Sequence, residues 1–324
     1  MHRTMRIFIT GGTGFVGGAL ITRLKKSHKI KAMTRSEAGS KKIAALGAEP
    51  VKCSLQNIKA EHLQGSQVVI HSAAYVEEWG SRKDFWQANV EGTRNMIAAA
   101  REAGIQRFIF IGTEAALFDG HDLKDIDEQH PYPASTPFLY SETKREAEKI
   151  VLSANGPGLL TLSIRPRFVW GPGDTSILPT IIEMVTREKF MWLNNGEALT
   201  STTYIDNLTQ CVERALGRGQ GGHAYFVADK QVNTMKSFLT RMLETQGITI
   251  PEKSVPAWLA KTAAFIVETI WRLFRIKSKP PMTRFGVSML AANCTVKTDK
   301  ARRELGYAPE VTVDQGLFRM SKVS

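Results

Sequence analysis

The chain of 324 residues reads as an α/β protein, a doubly wound parallel sheet with a smaller C-terminal α+β region. Three observations predict this. Short apolar runs alternate with helical segments through the first half, the pattern of parallel strands joined by helical crossovers. Runs such as "VVI" and "FIFI" are apolar without alternation, as strands buried on both faces are. Gly11, Gly14 and Gly17 lie three apart at the seam between the first apolar run and the first amphipathic one.

In order, "MRIFIT" reads as a strand and Phe15 to Lys26 as a helix. "KIKAMT" is strand, "SKKIAALG" helix and "AEPVKC" strand. "SQVVIHSAA" is strand, and "SRKDFWQANVEGTRNMIAAAREAG" a long helix closed by Gly104, since glycine commonly ends helices. "QRFIFIGT" is strand, "PFLYSETKREAEKIVLSAN" helix and "GLLTLSIRP" strand. After Pro166 the rhythm changes to short helices, short strands and Gly/Pro turns, with "YIDNLTQCVERALG" and "TMKSFLTRMLETQG" helical and "HAYFVAD" a strand. Residues 1–166 are therefore expected to hold a dinucleotide, and residues 167–324 to bind substrate, with some elements packing back on the sheet.

Composition narrows the classes. Hydrophobic residues make up 43% and charged residues 23%, ordinary for a chain that buries a core. The net charge of +12 comes from dispersed Lys and Arg, without a basic run interleaved with aromatics, so nucleic-acid binding is not expected. Cys53, Cys211 and Cys294 form no CxxC pair, and neither a disulfide framework nor a metal site is expected. No apolar stretch reaches the roughly 18 residues of a spanning helix. The expected location is the cytoplasm, with a peripheral membrane position as the other possibility.

The glycines point to chemistry. In a strand-to-helix turn, Gly11 permits the sharp bend, Gly14 lets the backbone approach a pyrophosphate, and Gly17 lets the helix pack closely on the strand. The helix N-terminus offers free N–H groups and a positive dipole end. Gly11, Thr13, Gly14, Phe15, Val16 and Gly17 are thus the expected phosphate cradle. About 20 residues on, an NAD site carries an acid for the ribose 2′-hydroxyl. Here "AMTRSEAGSKK" has Arg35, then Ser36, Lys41 and Lys42. A guanidinium can hold a 2′-phosphate bidentately, which favours NADP(H) over NAD(H).

"YSETK" puts Tyr140 and Lys144 at i and i+4, on one helical face. A free phenol has a pKa of about 10; a nearby ammonium stabilises the phenolate and makes proton exchange with a substrate oxygen feasible. Upstream, "FIFIGTEAAL" ends a strand at Gly112 and Thr113, where open α/β sheets bind ligands. Thr113 can hold the reacting oxygen or simply cap a turn.

With these motifs the chain resembles an extended short-chain dehydrogenase/reductase of the NAD-dependent epimerase/dehydratase superfamily, with a Rossmann-type sheet. Within it, the chain is most similar to the branch of 3β-hydroxysteroid dehydrogenases, sterol-carboxylate dehydrogenases and related ketoreductases. "TGGTGFVG", "HSAA", "NVEGTRN", "FIFIGTEAAL", "YSETK", "IRPRFVWGPGD", "YIDNL" and "KARRELGYAP" carry the likeness from residue 10 to about 309. The resemblance implies Tyr140 as general acid/base, Lys144 as its tuner and ribose ligand, and Thr113 as the active-site hydroxyl. It implies that Ala73 and Ala74 pass close to the cofactor, that Asn89 braces the long helix, and that Pro166 sits near the nicotinamide carboxamide. The family's usual Asp before the adenine-contacting Leu is Ser54 here, before Leu55, and its small Ser-rich segment is "IGT". A homodimer through helices 81–104 and 137–154 is also implied.

The remaining polar residues are read locally. His71 is expected to pack within its strand, having no metal-ligand partners spaced nearby. Glu114 either touches substrate or hydrogen-bonds locally, and Trp79 and Phe85 either line an apolar pocket or cover the core. In "PAWLAKTAAFIVETIWRLFRIKSKPP", Lys261, Glu268, Arg272 and Arg275 fall close to one helical face, and Trp258, Phe265, Ile266, Trp271 and Phe274 make the rest broadly apolar. Such a surface needs cover: packing as a lid over a greasy substrate or in a dimer is favoured over membrane contact through 256–276. The expected activity is hydride transfer between nicotinamide and a secondary alcohol or ketone on a bulky apolar substrate, such as a sterol or an alkyl 3-keto or 3-hydroxy acid. Two alternatives stand beside it: a nucleotide-sugar epimerase or dehydratase with tightly held NAD, and a non-catalytic NADP-binding sensor.

Overall fold

Seven parallel strands build the main sheet, and the chain enters it near the middle. In a computed structural model describing residues 4–175 and 177–322, these strands are β1 (Arg6–Thr10), β2 (Lys29–Thr34), β3 (Glu49–Lys52), β4 (Val68–His71), β5 (Arg107–Ile111), β6 (Leu160–Pro166) and β7 (His223–Val227). Their spatial order is β7-β6-β5-β4-β1-β2-β3. The chain moves outward from β1 to β3 and then returns to lay β4 beside β1, in register Thr10 with His71. The reversal opens a crevice at the carboxyl ends of β1 and β4, the place where such sheets take ligands.

Eleven α-helices are seen among the described residues: α1 (Phe15–Leu24), α2 (Glu37–Ala45), α3 (Arg82–Phe85), α4 (Gly92–Glu102), α5 (Leu139–Ser153), α6 (Ile177–Thr186), α7 (Ile205–Ala215), α8 (Met235–Glu244), α9 (Ala257–Leu273), α10 (Arg284–Ala291) and α11 (Val313–Ser321). Alternate residues along each strand feed opposite layers. Ile7, Ile9, Ile70 and Ile109 pack under α1 and α7 through Leu20, Ile21, Leu208 and Val212. Phe8, Val69, Phe108 and Phe110 pack on the other side under α4 and α5, through Met96, Ala100, Ala147 and Val151. A separate cluster around Trp170, Phe238, Met242 and Leu317 supports the C-terminal region.

The structure refines the sequence expectation in four places. The helix expected at "SKKIAALG" starts three residues earlier, at Glu37, because the Ser36 side chain accepts from the Gly39 N–H and caps it. The long helix expected over 81–104 is interrupted by a π-helical stretch, Trp86–Glu91. The strand expected at "HAYFVAD" completes the main sheet as β7, pairing with β6 from His223–Leu162 to Val227–Pro166. A four-stranded sheet joins Asn233–Thr234, Leu199–Thr200 and Cys294–Val296 to Leu123–Ile126, a short strand from the first half of the chain. No helix among the described residues is long and apolar enough to cross a membrane.

Candidate active site

At the glycine turn each glycine has its own constraint. Gly11 has φ +74°, and a Cβ on it would lie 2.9 Å from the Ala73 nitrogen. A Cβ on Gly17 would lie 2.1 Å from the Gly11 carbonyl oxygen. Gly14 caps α1 without a side-chain acceptor, so the first N–H groups of this ten-residue helix have no side-chain partner. A Cβ on Gly14 would meet only the Gly11 oxygen, at 3.4 Å. Gly14 and Thr13 face solvent, while Phe15 and Val16 turn inward onto the C-terminal cluster. A dinucleotide pyrophosphate fits this cradle: its backbone donors are exposed and no side chain fills the space before them.

Beyond β2, Arg35, Lys41 and Lys42 are exposed, and the Lys42 Nζ donates to the Thr13 carbonyl at 2.8 Å. Cations thus flank the glycine turn. After β3, the Ser54 N–H and hydroxyl both donate to Asn57 Oδ1, at 2.7 and 3.0 Å. Leu55 is buried, against the position a Cβ on Gly92 would take.

A chain of hydrogen bonds runs from the crevice into α5. Thr10 Oγ1 accepts from the N–H groups of Ser72 and Ala73, fixing the backbone that leads to Ala74. It lies 2.7 Å from His71 Nδ1, and His71 Nε2 lies 3.1 Å from Thr93 Oγ1. Thr93 donates to the Asn89 carbonyl at 2.6 Å, which assigns the His71 proton to Nε2. Burial and the Lys144 charge bring the His71 pKa down to about 3, so the ring is neutral, and His71 is a packed strand histidine as expected. The Asn89 amide donates to the Tyr75 carbonyl and to Thr143 Oγ1, both at 3.1 Å, and its oxygen accepts from the Tyr75 N–H at 2.7 Å. Asn89 therefore holds α5 to the loop after β4.

On α5, Lys144 is buried and donates to the Ile111 carbonyl at 2.8 Å, with its Nζ 4.2 Å from the centre of the Phe110 ring. Burial brings its pKa down to about 8, against the opposing pull of Glu148. Tyr140 stands one turn earlier. Burial first and the Glu114 carboxylate second push the phenol above its usual pKa, with the nearby Thr113 hydroxyl opposing them. The phenol is thus held protonated at neutral pH. Its ring meets Phe285 of α10 at 5.6 Å, nearly edge-on. Phe85, Phe138 and Phe285, with Glu268 and Arg272 of α9, line the recess in front of Tyr140.

Beneath Thr113 lies a buried ion pair. The Thr113 hydroxyl donates to Glu114 Oε2 at 2.9 Å, and the Arg167 guanidinium donates to Glu114 Oε1 at 2.7 Å. Both charged residues are buried. Glu114 therefore has the local role of the two expected. Two turns along α5 from Tyr140, Glu148 is buried against Arg165, Ser163 and Tyr132. A Cβ on Gly112 would lie 2.5 Å from Ser163 Oγ and 2.8 Å from Glu148 Oε1, which explains why "IGT" replaces a segment with a side chain there. Pro166 is buried at the end of β6, just before Arg167.

Replacing Glu114 by Gln removes a negative charge while keeping an acceptor for Thr113. That charge raises the Tyr140 pKa, so its loss lowers it. The alkaline fall of ketone reduction should then begin at lower pH, with turnover down by about tenfold. Buried Arg167 loses its counter-charge, and stability should fall by about 3 kcal/mol. A pH–rate profile and a melting curve check both; an unshifted profile would remove Glu114 from the mechanism.

The structure thus gathers Thr113, Tyr140 and Lys144 at one end of β5 and α5. The glycine turn and Ala73 lie at the adjoining crevice, Lys42 bonds to that turn, and Arg35 is exposed after β2. The sequence reading missed Arg167 and Phe285. The pair of arginines flanking Pro166 at the end of an apolar strand is the signal that could have found the first; Phe285 reaches Tyr140 only through tertiary packing.

Residues 8–257 match the model of the 3-beta hydroxysteroid dehydrogenase/isomerase family. The 4-hydroxy-2-methyl-3-oxo-4-farnesyl-3,4-dihydroquinoline-1-oxide ketoreductase of Stigmatella aurantiaca is 42% identical, over 97% of this chain and 95% of its own. The 2-alkyl-3-oxoalkanoate reductase of Stenotrophomonas maltophilia is 32% identical, over 99% of each. Among solved structures, UDP-glucuronic acid 4-epimerase from Bacillus cereus in complex with NAD superposes with a TM-score of 0.76 at 17% identity, over 98% of each chain, a likeness of fold.

Proposed function

The chain belongs to the 3-beta hydroxysteroid dehydrogenase/isomerase family, and we propose that it is an NADP(H)-preferring oxidoreductase that reduces a ketone on a bulky apolar substrate. The observation that carries this is Tyr140 on the first turn of α5 with buried Lys144 one turn on, its Nζ bonded to the Ile111 carbonyl two residues before Thr113. The names of the two relatives above, one acting on a farnesylated ring and one on an alkyl-oxoalkanoate, support ketone reduction.

In this reading Gly11, Gly14 and Gly17 with the α1 N-terminus hold the pyrophosphate, and Ser54, Leu55, Ala73, Ala74 and Pro166 line the remaining cofactor path. The bound nicotinamide supplies the hydride. Thr113 orients the substrate oxygen, held in turn by Glu114 and Arg167. Tyr140, kept as the neutral phenol by burial, is in the protonation state needed to donate a proton to that oxygen. Lys144, largely ammonium at neutral pH, stabilises the phenolate that results. Asn89 fixes the helix carrying both. Scoring apolar ketones, sterols and alkyl 3-keto acids by the loss of reduced-nicotinamide absorbance tests the reading; no turnover across such a panel would overturn it.

The cofactor choice rests on Arg35. Arg35, not an acid, directly follows β2, with Glu37 two residues further on in the first turn of α2, and Arg35 stands exposed with Lys41 and Lys42 nearby. Changing Arg35 to Ala should raise the KM for NADPH by about 30-fold, the loss of a charge-assisted phosphate contact, and leave that for NADH within about twofold. Steady-state kinetics with both cofactors checks it; equal losses would make Arg35 a solvated loop cation.

A further inference from the structure

The α9 helix is packed the opposite way round from the apolar helix the sequence suggests. Its buried residues are Ala257, Ala260, Ala264 and Glu268, one narrow stripe against α10. The small side chains let the two helices approach closely, and Glu268 accepts the Arg284 N–H at the start of α10 at 2.6 Å. The large apolar residues point away. Trp258 is 68% exposed, Phe265 53%, Leu273 73% and Phe274 70%. The helix packs on the protein through its alanines and Glu268, while most of its large apolar side chains stay exposed.

This outer arc carries no acid, because Glu268, the only one in the helix, is inside. Its end is basic. Arg275 and Lys277 are exposed, and neither has an acidic partner within ion-pair distance among the described residues. Arg272 lies 4.9 Å from the centre of the Trp79 ring. An exposed apolar arc with an amphipathic indole at one end and cations at the other matches an interfacial helix. A second copy fits less well. Pairing two such faces about a twofold axis offers the cations no carboxylate, since Glu78 nearby is already held by Lys279 at 3.3 Å.

We propose that the outer face of α9, with Arg275 and Lys277, seats the protein on an anionic bilayer surface. Because Glu268 and Arg272 line the recess before Tyr140, docking would bring the mouth of that recess to the lipid, where an apolar substrate partitions. The docking itself needs neither substrate nor cofactor, so its test is separate from that of the reaction.

The test is flotation with vesicles of phosphatidylcholine, alone or with roughly a third replaced by phosphatidylglycerol. The protein should float with the anionic vesicles and far less with neutral ones. Changing Trp258, Phe265 and Leu273 together to Ser should weaken binding by about 100-fold or more. Changing Arg275 and Lys277 to Gln should weaken it by about 30-fold and reduce its salt sensitivity. These side chains are exposed, so both variants should melt like the parent; if the Ser variant does not, the Gln variant decides. Absence of flotation, or binding unchanged in the Gln variant, would overturn the proposal. So would a Ser variant whose solution mass falls from two copies to one, which would make the face a dimer interface.

Discussion

Replacing Tyr140 with Phe should lower turnover by about a thousandfold while leaving cofactor affinity within a few-fold. The change removes one oxygen atom. The ring keeps its edge-on contact with Phe285, 5.6 Å away, and its place on the first turn of α5. Lys144 keeps its bond to the Ile111 carbonyl, and Asn89 keeps its hold on Thr143. What disappears is the phenolic hydroxyl, and with it the proton that a reduced carbonyl oxygen must receive. A positioned proton donor contributes typically a hundred- to ten-thousandfold, and here the loss is nearly complete because the residual donor, Thr113, is a much weaker acid. Cofactor titration by fluorescence and steady-state rates on a confirmed ketone make the comparison. A variant retaining a tenth of the parent rate would show that the proton comes from elsewhere.

Gly17→Ala should give the second large effect, on both folding and cofactor binding. The added methyl would lie 2.1 Å from the Gly11 oxygen, 2.5 Å from the Gly11 carbonyl carbon and 2.9 Å from the Gly12 Cα, all backbone atoms. They cannot rotate aside, so α1 must withdraw from the turn. Overpacking of this kind costs about 3 kcal/mol, and the displaced helix start should weaken dinucleotide binding by about 100-fold. Gly14→Ala is the control. Its methyl touches only the Gly11 oxygen, at an ordinary 3.4 Å, and its φ of −84° suits alanine. That variant should melt within a degree or two of the parent and still lose cofactor affinity, because the methyl enters the phosphate space. Melting curves with and without NADP(H) separate the two. If Gly14→Ala bound cofactor normally, the cradle would be misassigned.

Much of this site could be read from the chain because the relevant signals are local. The glycine spacing lies within one turn, and Tyr140 and Lys144 within one helical turn. The alternation of apolar runs revealed the parallel sheet because β4 and β5 must be buried on both faces. What escaped reading depends on partners distant in sequence. Arg167 gains meaning only opposite Glu114, and Phe285 only beside Tyr140. The strand Leu123–Ile126 is too short, and too polar at Lys124 and Asp125, to signal itself; Cys294–Val296 makes it a strand by pairing. In α9 the apolar pattern was visible, but the inward arc, Ala257, Ala260, Ala264 and Glu268, is set by packing against α10.

The position of β7 bears on how the chain must be synthesised. Residues 223–227 form the neighbour of β6, while β6 itself ends at Pro166. A nascent chain that has emerged only as far as residue 166 therefore presents a bare row of strand amides and carbonyls along one margin of its sheet. That margin is the kind that recruits a stray strand from another molecule. Closure waits for more than fifty further residues to leave the ribosome, because the strand that covers this margin comes from the second of the two halves named from the sequence.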